Sequence, residues 1–254
     1  MIIAVLMPVY RRPRLAENAA ACFLAQILPA DCRAHLLILD DGDTFTDVPP
    51  SPAHHSIHLL KSPTRFPNLG AKYNAGLQTA LNDLRPDVVA LFDEDDHYLP
   101  WHLRAHAECL RGKPRAWSKP SRVWSDYRAP GAWRLEDGAG RFHGSIAFTA
   151  DVAARWPEIP DPDFDQQFMA RLAAECGPPC DPLGVFRVPG YCFRWHSGTW
   201  HGEQFARFGA QWYERAGEAA KPVPPAPLRP AFDHDHPALV EHLFKIAKES
   251  GYGP

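Results

Sequence analysis

Val88-Val89-Ala90-Leu91-Phe92-Asp93-Glu94-Asp95-Asp96 runs from five apolar residues straight into four acids. A continuous apolar run of this length reads as a strand buried on both faces, as in a parallel sheet. Ile2 to Val9 and His35 to Leu39 have the same character, and the second ends in Asp40-Asp41-Gly42-Asp43. Ile57 to Leu60 is a shorter strand. Between them, Leu15, Ala19, Cys22/Phe23 and Gln26/Ile27 follow Pro13 at helical spacing, and apolar positions 69, 73, 77, 80/81 and 84 mark an amphipathic helix stopped by Pro86. The order strand-helix-strand-strand-helix-strand predicts an α/β fold, a mostly parallel central sheet flanked by helices. Ligands of such sheets lie beyond the carboxyl ends of the strands, and both acidic clusters fall there.

Four consecutive acids repel one another unless a cation or solvent relieves them. Hard divalent cations take oxygen ligands, often one or two carboxylates together with substrate phosphates. The plainer reading is a solvated acidic turn before the helix that follows Pro100. Two acidic clusters at one sheet edge fit a nucleotide bound between them better than two unrelated turns.

The rest of the chain narrows the class. With 254 residues and a net charge of -3, it is one large domain or two small ones, with no whole-protein case for a polyanion partner. No run of 18 apolar residues exists to span a membrane, and the apolar start lacks the basic flank of a signal peptide. The six cysteines form no CxxC pair, which predicts reduced thiols and a cytoplasmic setting. Cys176 and Cys180 bracket Gly177-Pro178-Pro179, where loop packing is the plain role and metal or redox chemistry the alternative. Beyond residue 110 the pattern changes: a helix over 101–110, strands and loops over 115–149, a helix from about 163 and short strands within 185–195. Five of the 27 prolines fall in 222–230, a stiff connector to a last amphipathic helix.

Several motifs resemble the family 2 glycosyltransferases of the GT-A fold. Met7-Pro8-Val9-Tyr10-Arg11-Arg12 is similar to their opening strand and turn, and Asp40-Asp41-Gly42-Asp43 to their DDGS element, with Asp43 replacing serine. Asn68-Leu69-Gly70-Ala71-Lys72-Tyr73-Asn74-Ala75-Gly76 resembles their helix start, and Asp93-Glu94-Asp95-Asp96 with Pro100 their DxD element. The resemblance covers about residues 1–110 and is looser beyond. It implies one catalytic domain over 1–220, with a nucleotide-sugar half (1–110) and an acceptor half (111–220), and a segment 221–254 packing on it. It further implies a nucleotide-sugar donor (UDP by family frequency), a divalent cation (Mn²⁺ or Mg²⁺) and inversion at the anomeric carbon. Pro8, Tyr10, Arg12, Asp40, Asp41, Lys72, Asp93 and Glu94 would bind the nucleotide and its diphosphate. Asp95 would ligate the metal, with His196 of Tyr191-Cys192-Phe193-Arg194-Trp195-His196 closing over it.

Inversion needs a general base for the acceptor hydroxyl. The family's Glu-Asp pair is missing. Counting back from Arg171-Leu172-Ala173, which resembles its R-L-A, puts Asp165 at that position, with Asp163 as the other candidate. Either could instead cap the helix, whose dipole would lower its pKa unless burial offsets the effect. The acceptor would be a glycan or another hydroxyl-bearing molecule. Arg111, Lys113, Arg115, Lys119 and Arg122, interleaved with Trp117, could alternatively offer a patch for nucleic acid, or be a solvated face. Two rivals stand beside this reading. A nucleotidyltransferase would carry a Gly-rich phosphate loop where Tyr10-Arg11-Arg12-Pro13 stands, and a non-catalytic sugar- or nucleic-acid-binding protein on the same scaffold would explain the missing Glu-Asp pair.

Overall fold

The structure is a computed structural model that describes residues 1–125, 133–138, 140–160, 163–194, 241–243, 245, 248 and 249. His196, the proline-rich connector 222–230 and most of the last helix lie outside the described residues.

The first half builds as its periodicity dictates. Strands β1 (Ile2–Val9), β2 (Arg33–Asp40), β3 (His55–Lys61) and β4 (Val88–Leu91) pair in parallel in the order β3-β2-β1-β4. Helix α1 (Pro13–Leu24) joins β1 to β2. Helix α2 (Leu69–Thr79), widened by a π turn over Ala80–Leu84, joins β3 to β4. The six-stranded sheet is completed by β9 (Ala147–Thr149) and β6 (Trp117–Ser118), both antiparallel to their neighbours.

Alternation along β1 separates two cores, because successive side chains point to opposite faces. Ile3, Val5, Met7 and Val9 pack with Ala16, Ala19 and Phe23 of α1 and with Leu103, Ala107 and Leu110 of α3 (His102–Leu110). Ala4 and Leu6 face the other way, onto Tyr73 and Leu77 of α2 and Phe168 and Leu172 of α4 (Phe164–Cys176). Close approach of α2 to the sheet depends on Gly76, where a Cβ would come within 2.5 Å of Leu39 Cδ1.

The end of α1 differs from expectation. The helix stops at Leu24, and Gln26 turns its amide onto the Cys22 and Leu99 carbonyls at 3.0 and 2.9 Å. Its carbonyl accepts from Leu103 N at 2.9 Å, so Gln26 ties α1 to the start of α3 while Ile27 is left exposed. Short strands fall within 115–149 and 185–195 as expected, but their pairing with His97–Tyr98 into a second sheet was not legible from periodicity. This sheet orders β5 (His97–Tyr98), β10 (Tyr191–Phe193), β7 (Arg122–Ser125) and β8 (Arg134–Asp137) as β5-β10-β7-β8. Leu243 of the C-terminal segment is buried with Trp101, Trp124 and Cys192 beside this sheet.

Candidate active site

Register brings the loop ends together. Val9 pairs with Asp40, Leu6 with Leu91, and Phe92 N donates to the Leu6 carbonyl at 3.0 Å. The turn Tyr10–Arg12, the loop 40–43 and the acidic run 93–96 therefore leave the same edge of the sheet.

Each acid of the run has its own protein partner. Asp93 Oδ1 accepts from the Tyr73 hydroxyl at 2.7 Å, and Asp93 N donates to the Tyr98 hydroxyl oxygen at 2.6 Å. A Cβ on Gly144 would collide with Asp93 Oδ2, so the backbone closes over this carboxylate. Glu94, 4% exposed, accepts from Tyr10 N at 3.2 Å and pairs with Arg12 Nε at 2.7 Å. The same guanidinium reaches Asp95 at 2.9 Å. Asp96 is buried, taking hydrogen bonds from the Tyr191 hydroxyl and from Arg194 N. The expectation that a cation or solvent must relieve the run is thus met in part by the protein: Arg12 and two tyrosines share the task.

The remaining charge is uncomfortable. Burial pushes Asp93 up to about 7, with Asp95 and Asp165 adding repulsion and Tyr73 and Arg12 opposing it. Burial also raises Glu94 and Asp96. Oxygen donors on a crowded anionic strand end suit a hard cation, which would share the repulsion that Arg12 only partly offsets. Asp95, with 18% of its side chain exposed, and Asp93 are the partly exposed carboxylates of the run, while Glu94 and Asp96 are buried. Among the described residues no cluster of three or more His, Cys, Asp or Glu stands ready for a metal.

The other predicted residues fall in two groups. Asp40 is spent on its own loop, accepting from the Gly42, Thr44 and Phe45 amides at 3.0, 2.7 and 2.9 Å. Lys72 is buried, donating to Asp41 at 2.5 Å and to the Val9 carbonyl at 2.6 Å. Burial lowers its pKa against the pull of Asp41. Asp41 also accepts from Phe66 N at 2.9 Å, so this pair clamps the ends of β1 and β2 to α2. Pro8 is buried within β1 opposite Leu39. Tyr10 stays half-buried at the rim, with the Arg65 guanidinium 4.1 Å from its ring centroid. Sequence reading missed Arg65, which sits in a loop without periodicity.

Asp165 lies in the first turn of α4, where it accepts from its neighbour's amide, Gln166 N, at 2.7 Å. Burial pushes it up to about 6, with Asp163 adding repulsion. Burial thus outweighs the helix dipole expected to lower it. Its charge is felt at Asp93, Tyr73 and Lys119, which places it with the acidic strand end. Asp163, at the helix N-cap and exposed, makes no capping hydrogen bond to the helix. The aromatic stack behind these groups had no sequence signature. Tyr73 stacks on Trp156 with centroids 4.8 Å apart, and Trp156 on Phe168 at 3.8 Å. Asn74 holds Trp156 in place by pairing with both its backbone N–H and its carbonyl at 3.0 Å.

The basic stretch 111–122, read as a solvated face with a nucleic-acid patch as the alternative, has several of its charges engaged within the protein. Arg111 is paired with Asp31 at 2.7 Å and Arg115 with Glu175 at 2.8 Å, while Lys119 is buried and donates to the Arg141 carbonyl. Trp117 and Trp124 are buried in the core, so neither can stack on a base. Composition showed the charges but not their partners.

The sequence matches the family described as glycosyl transferase family 2 over residues 4–175. No curated protein matches the chain significantly. Among solved structures, it resembles S. aureus TarS 1-349 in complex with UDP, at 13% identity and a TM-score of 0.54, over 78% of this chain and 61% of that one. It also resembles the mannosyltransferase PcManGT from Pyrobaculum calidifontis in complex with GDP-Man and Mn²⁺, at 15% identity and a TM-score of 0.54, over 97% and 75%. The chain spans 37% of the longer TarS structure. At these identities the likeness bears on fold, and the fold is of the GT-A type.

Proposed function

The chain belongs to glycosyl transferase family 2, and from that premise we propose that it moves a sugar from a nucleoside-diphosphate sugar to an acceptor hydroxyl with inversion. What supports the reading is Asp165 in the first turn of α4, its charge felt at Asp93 of the acidic strand end and its carboxyl raised by burial to about 6. A base poised near the working pH is ionised yet still holds a proton usefully. Asp165 takes the acceptor's hydroxyl proton while the acceptor oxygen attacks the anomeric carbon. The bond from that carbon to the diphosphate oxygen breaks, and the nucleoside diphosphate leaves. Asp163 is left to the helix start.

Tyr10 would offer its ring at the rim to the nucleobase, and Arg12, paired with Glu94 and Asp95, would meet the diphosphate. Lys72 acts at one remove, fixing Asp41 and the end of β1. Asp95, with Asp93 beside it, would hold Mn²⁺ or Mg²⁺, which supplies positive charge to the departing diphosphate when bound. TarS with UDP and PcManGT with GDP-Man and Mn²⁺ make UDP- and GDP-sugars the first donors to try. The test is a thermal-shift screen of both donor classes with and without Mn²⁺. A donor at a hundred times its Kd stabilises the folded chain by about 2.7 kcal/mol. The expected result is a cation-dependent rise that Asp95→Ala removes. No rise with any nucleotide sugar refutes the reading.

A further inference from the structure

His143 stands between the two halves of the site, and no sequence motif marked it. Phe142 before it lies in the left-handed region at φ 60°, where a residue with a side chain is strained and stays only if its surroundings enforce it. Ser145 does so, its N–H and its hydroxyl both donating to the Phe142 carbonyl at 3.1 and 2.6 Å. The short turn His143–Ser145 buries the imidazole and lays the Gly144 backbone against Asp93. His143 meets four rings edge-to-face, Tyr73 at 5.3 Å between centroids, Phe164 at 5.8 Å, Trp156 at 5.9 Å and Phe168 at 6.0 Å. Its Nε2 accepts from the Trp156 indole N–H at 2.8 Å. An indole N–H only donates, so the imidazole carries its proton on Nδ1. Burial keeps the ring neutral, pushing its pKa down to about 3. An aliphatic side chain would fill this space without burying a polar ring, so packing alone does not call for histidine.

Two chains of contact leave this ring. Trp156, held by the hydrogen bond, stacks on Tyr73, whose hydroxyl donates to Asp93. Phe164 and Phe168 belong to the first turns of α4, which carry Asp165. Resting on the reading of Asp165 as the base, we propose that His143 is a positioning residue for sugar transfer. Through Trp156 and Phe164 it sets the first turn of α4, and with it the Asp165 carboxyl, relative to the acidic strand end. Without the Nε2 acceptor the Trp156 N–H is buried and unpaired, a penalty that turning the indole relieves. The start of α4 then loses its backing, and Asp165 gains solvent. A misplacement of about 1 Å at a reacting group can cost about 10²-fold in rate.

The test compares His143→Leu with His143→Gln, which keeps an acceptor near the place of Nε2, in the full chain. Turnover is followed against pH with the UDP- or GDP-sugar that gives the cation-dependent thermal shift. In His143→Leu, kcat should fall by about tenfold or more. The acid-side midpoint of kcat/KM should move from near 6 toward the ordinary carboxylate range, because burial is what raises Asp165. His143→Gln should recover most of both. Asp163 on the same helix, Lys119 after β6 and Asp93 of the strand end, whose charges bear on Asp165, are unchanged in each variant. A purely structural role would alter the melting temperature and leave the midpoint in place. Trp156→Phe removes the donor but keeps a ring; it should give the same two changes and serves if His143→Leu does not fold. A midpoint that stays near 6 in these variants, while Asp165→Asn is inactive, overturns the proposal. Asp165→Asn at the parent rate overturns instead the reading on which it rests.

Discussion

Asp165→Asn separates stability from activity in a way that only a desolvated base produces. The carboxyl is raised from an ordinary 3.8 to about 6 by burial. The folded chain thus holds the proton more tightly than the unfolded one, and stability falls as pH rises through that window. Above it the full penalty applies. The shift of about two units corresponds to about 3 kcal/mol at most, and partial exposure of the residue brings this to about 1–3 kcal/mol. An uncharged isostere escapes it, so Asp165→Asn should melt higher than the parent at pH 7 and no higher at pH 4. Loss of the base should cut turnover by about 10²–10⁴. In the parent, kcat/KM should fall on the acid side with a midpoint near 6, leaving about one tenth of the plateau rate at pH 5. The assay is release of nucleoside diphosphate from the donor that gives the cation-dependent thermal shift, followed from pH 4.5 to 8 beside melting curves. Parent-like turnover in Asp165→Asn, or a lower Tm at pH 7, refutes the assignment. Asp163→Asn should retain most activity.

Three further perturbations probe the frame of the site. Lys72→Met strands the Asp41 carboxylate in the interior and should cost about 3–5 kcal/mol in urea unfolding at pH 7; a loss under 1 kcal/mol would show that the clamp is not closed. Gly144→Ala forces a methyl onto Asp93 Oδ2 and should destabilise by about 1–3 kcal/mol, with a larger fractional loss of cation-dependent nucleotide binding by calorimetry. Unchanged binding would mean that Asp93 has room to move. Trp156→Ala removes the middle ring of the stack and should cost about 3–5 kcal/mol of stability, read as a lowered denaturant midpoint.

The parallel half of the fold was legible because its strands are continuous apolar runs and its helices keep a clean period. The acidic ends of β2 and β4 could be placed on one edge for the same reason. What periodicity could not supply were pairings across long stretches of chain. Arg12 bridging Glu94 and Asp95, or Tyr191 reaching Asp96, leaves no mark at either position. The strands of the second sheet are too short to show alternation, yet they deliver two of the tyrosines that hold the acids. Asp40 and Lys72 also have internal partners that no sequence signal marked. For the basic stretch, a count of charges does not reveal which have partners in the fold, nor that Trp117 and Trp124 are buried.

The stacked rings of Tyr73, Trp156 and Phe168 also set a stiffness. They join α2, which carries the hydroxyl on Asp93, to α4, which carries Asp165. Swinging α4 away from the sheet would break the Trp156–Phe168 stack, worth about 0.5–1.5 kcal/mol beyond the area it buries. The stack thus links the helix that carries Tyr73, the partner of Asp93, to the helix that carries Asp165. The rim is looser, with exposed Arg65 resting on Tyr10 and a third of the Arg12 side chain meeting solvent.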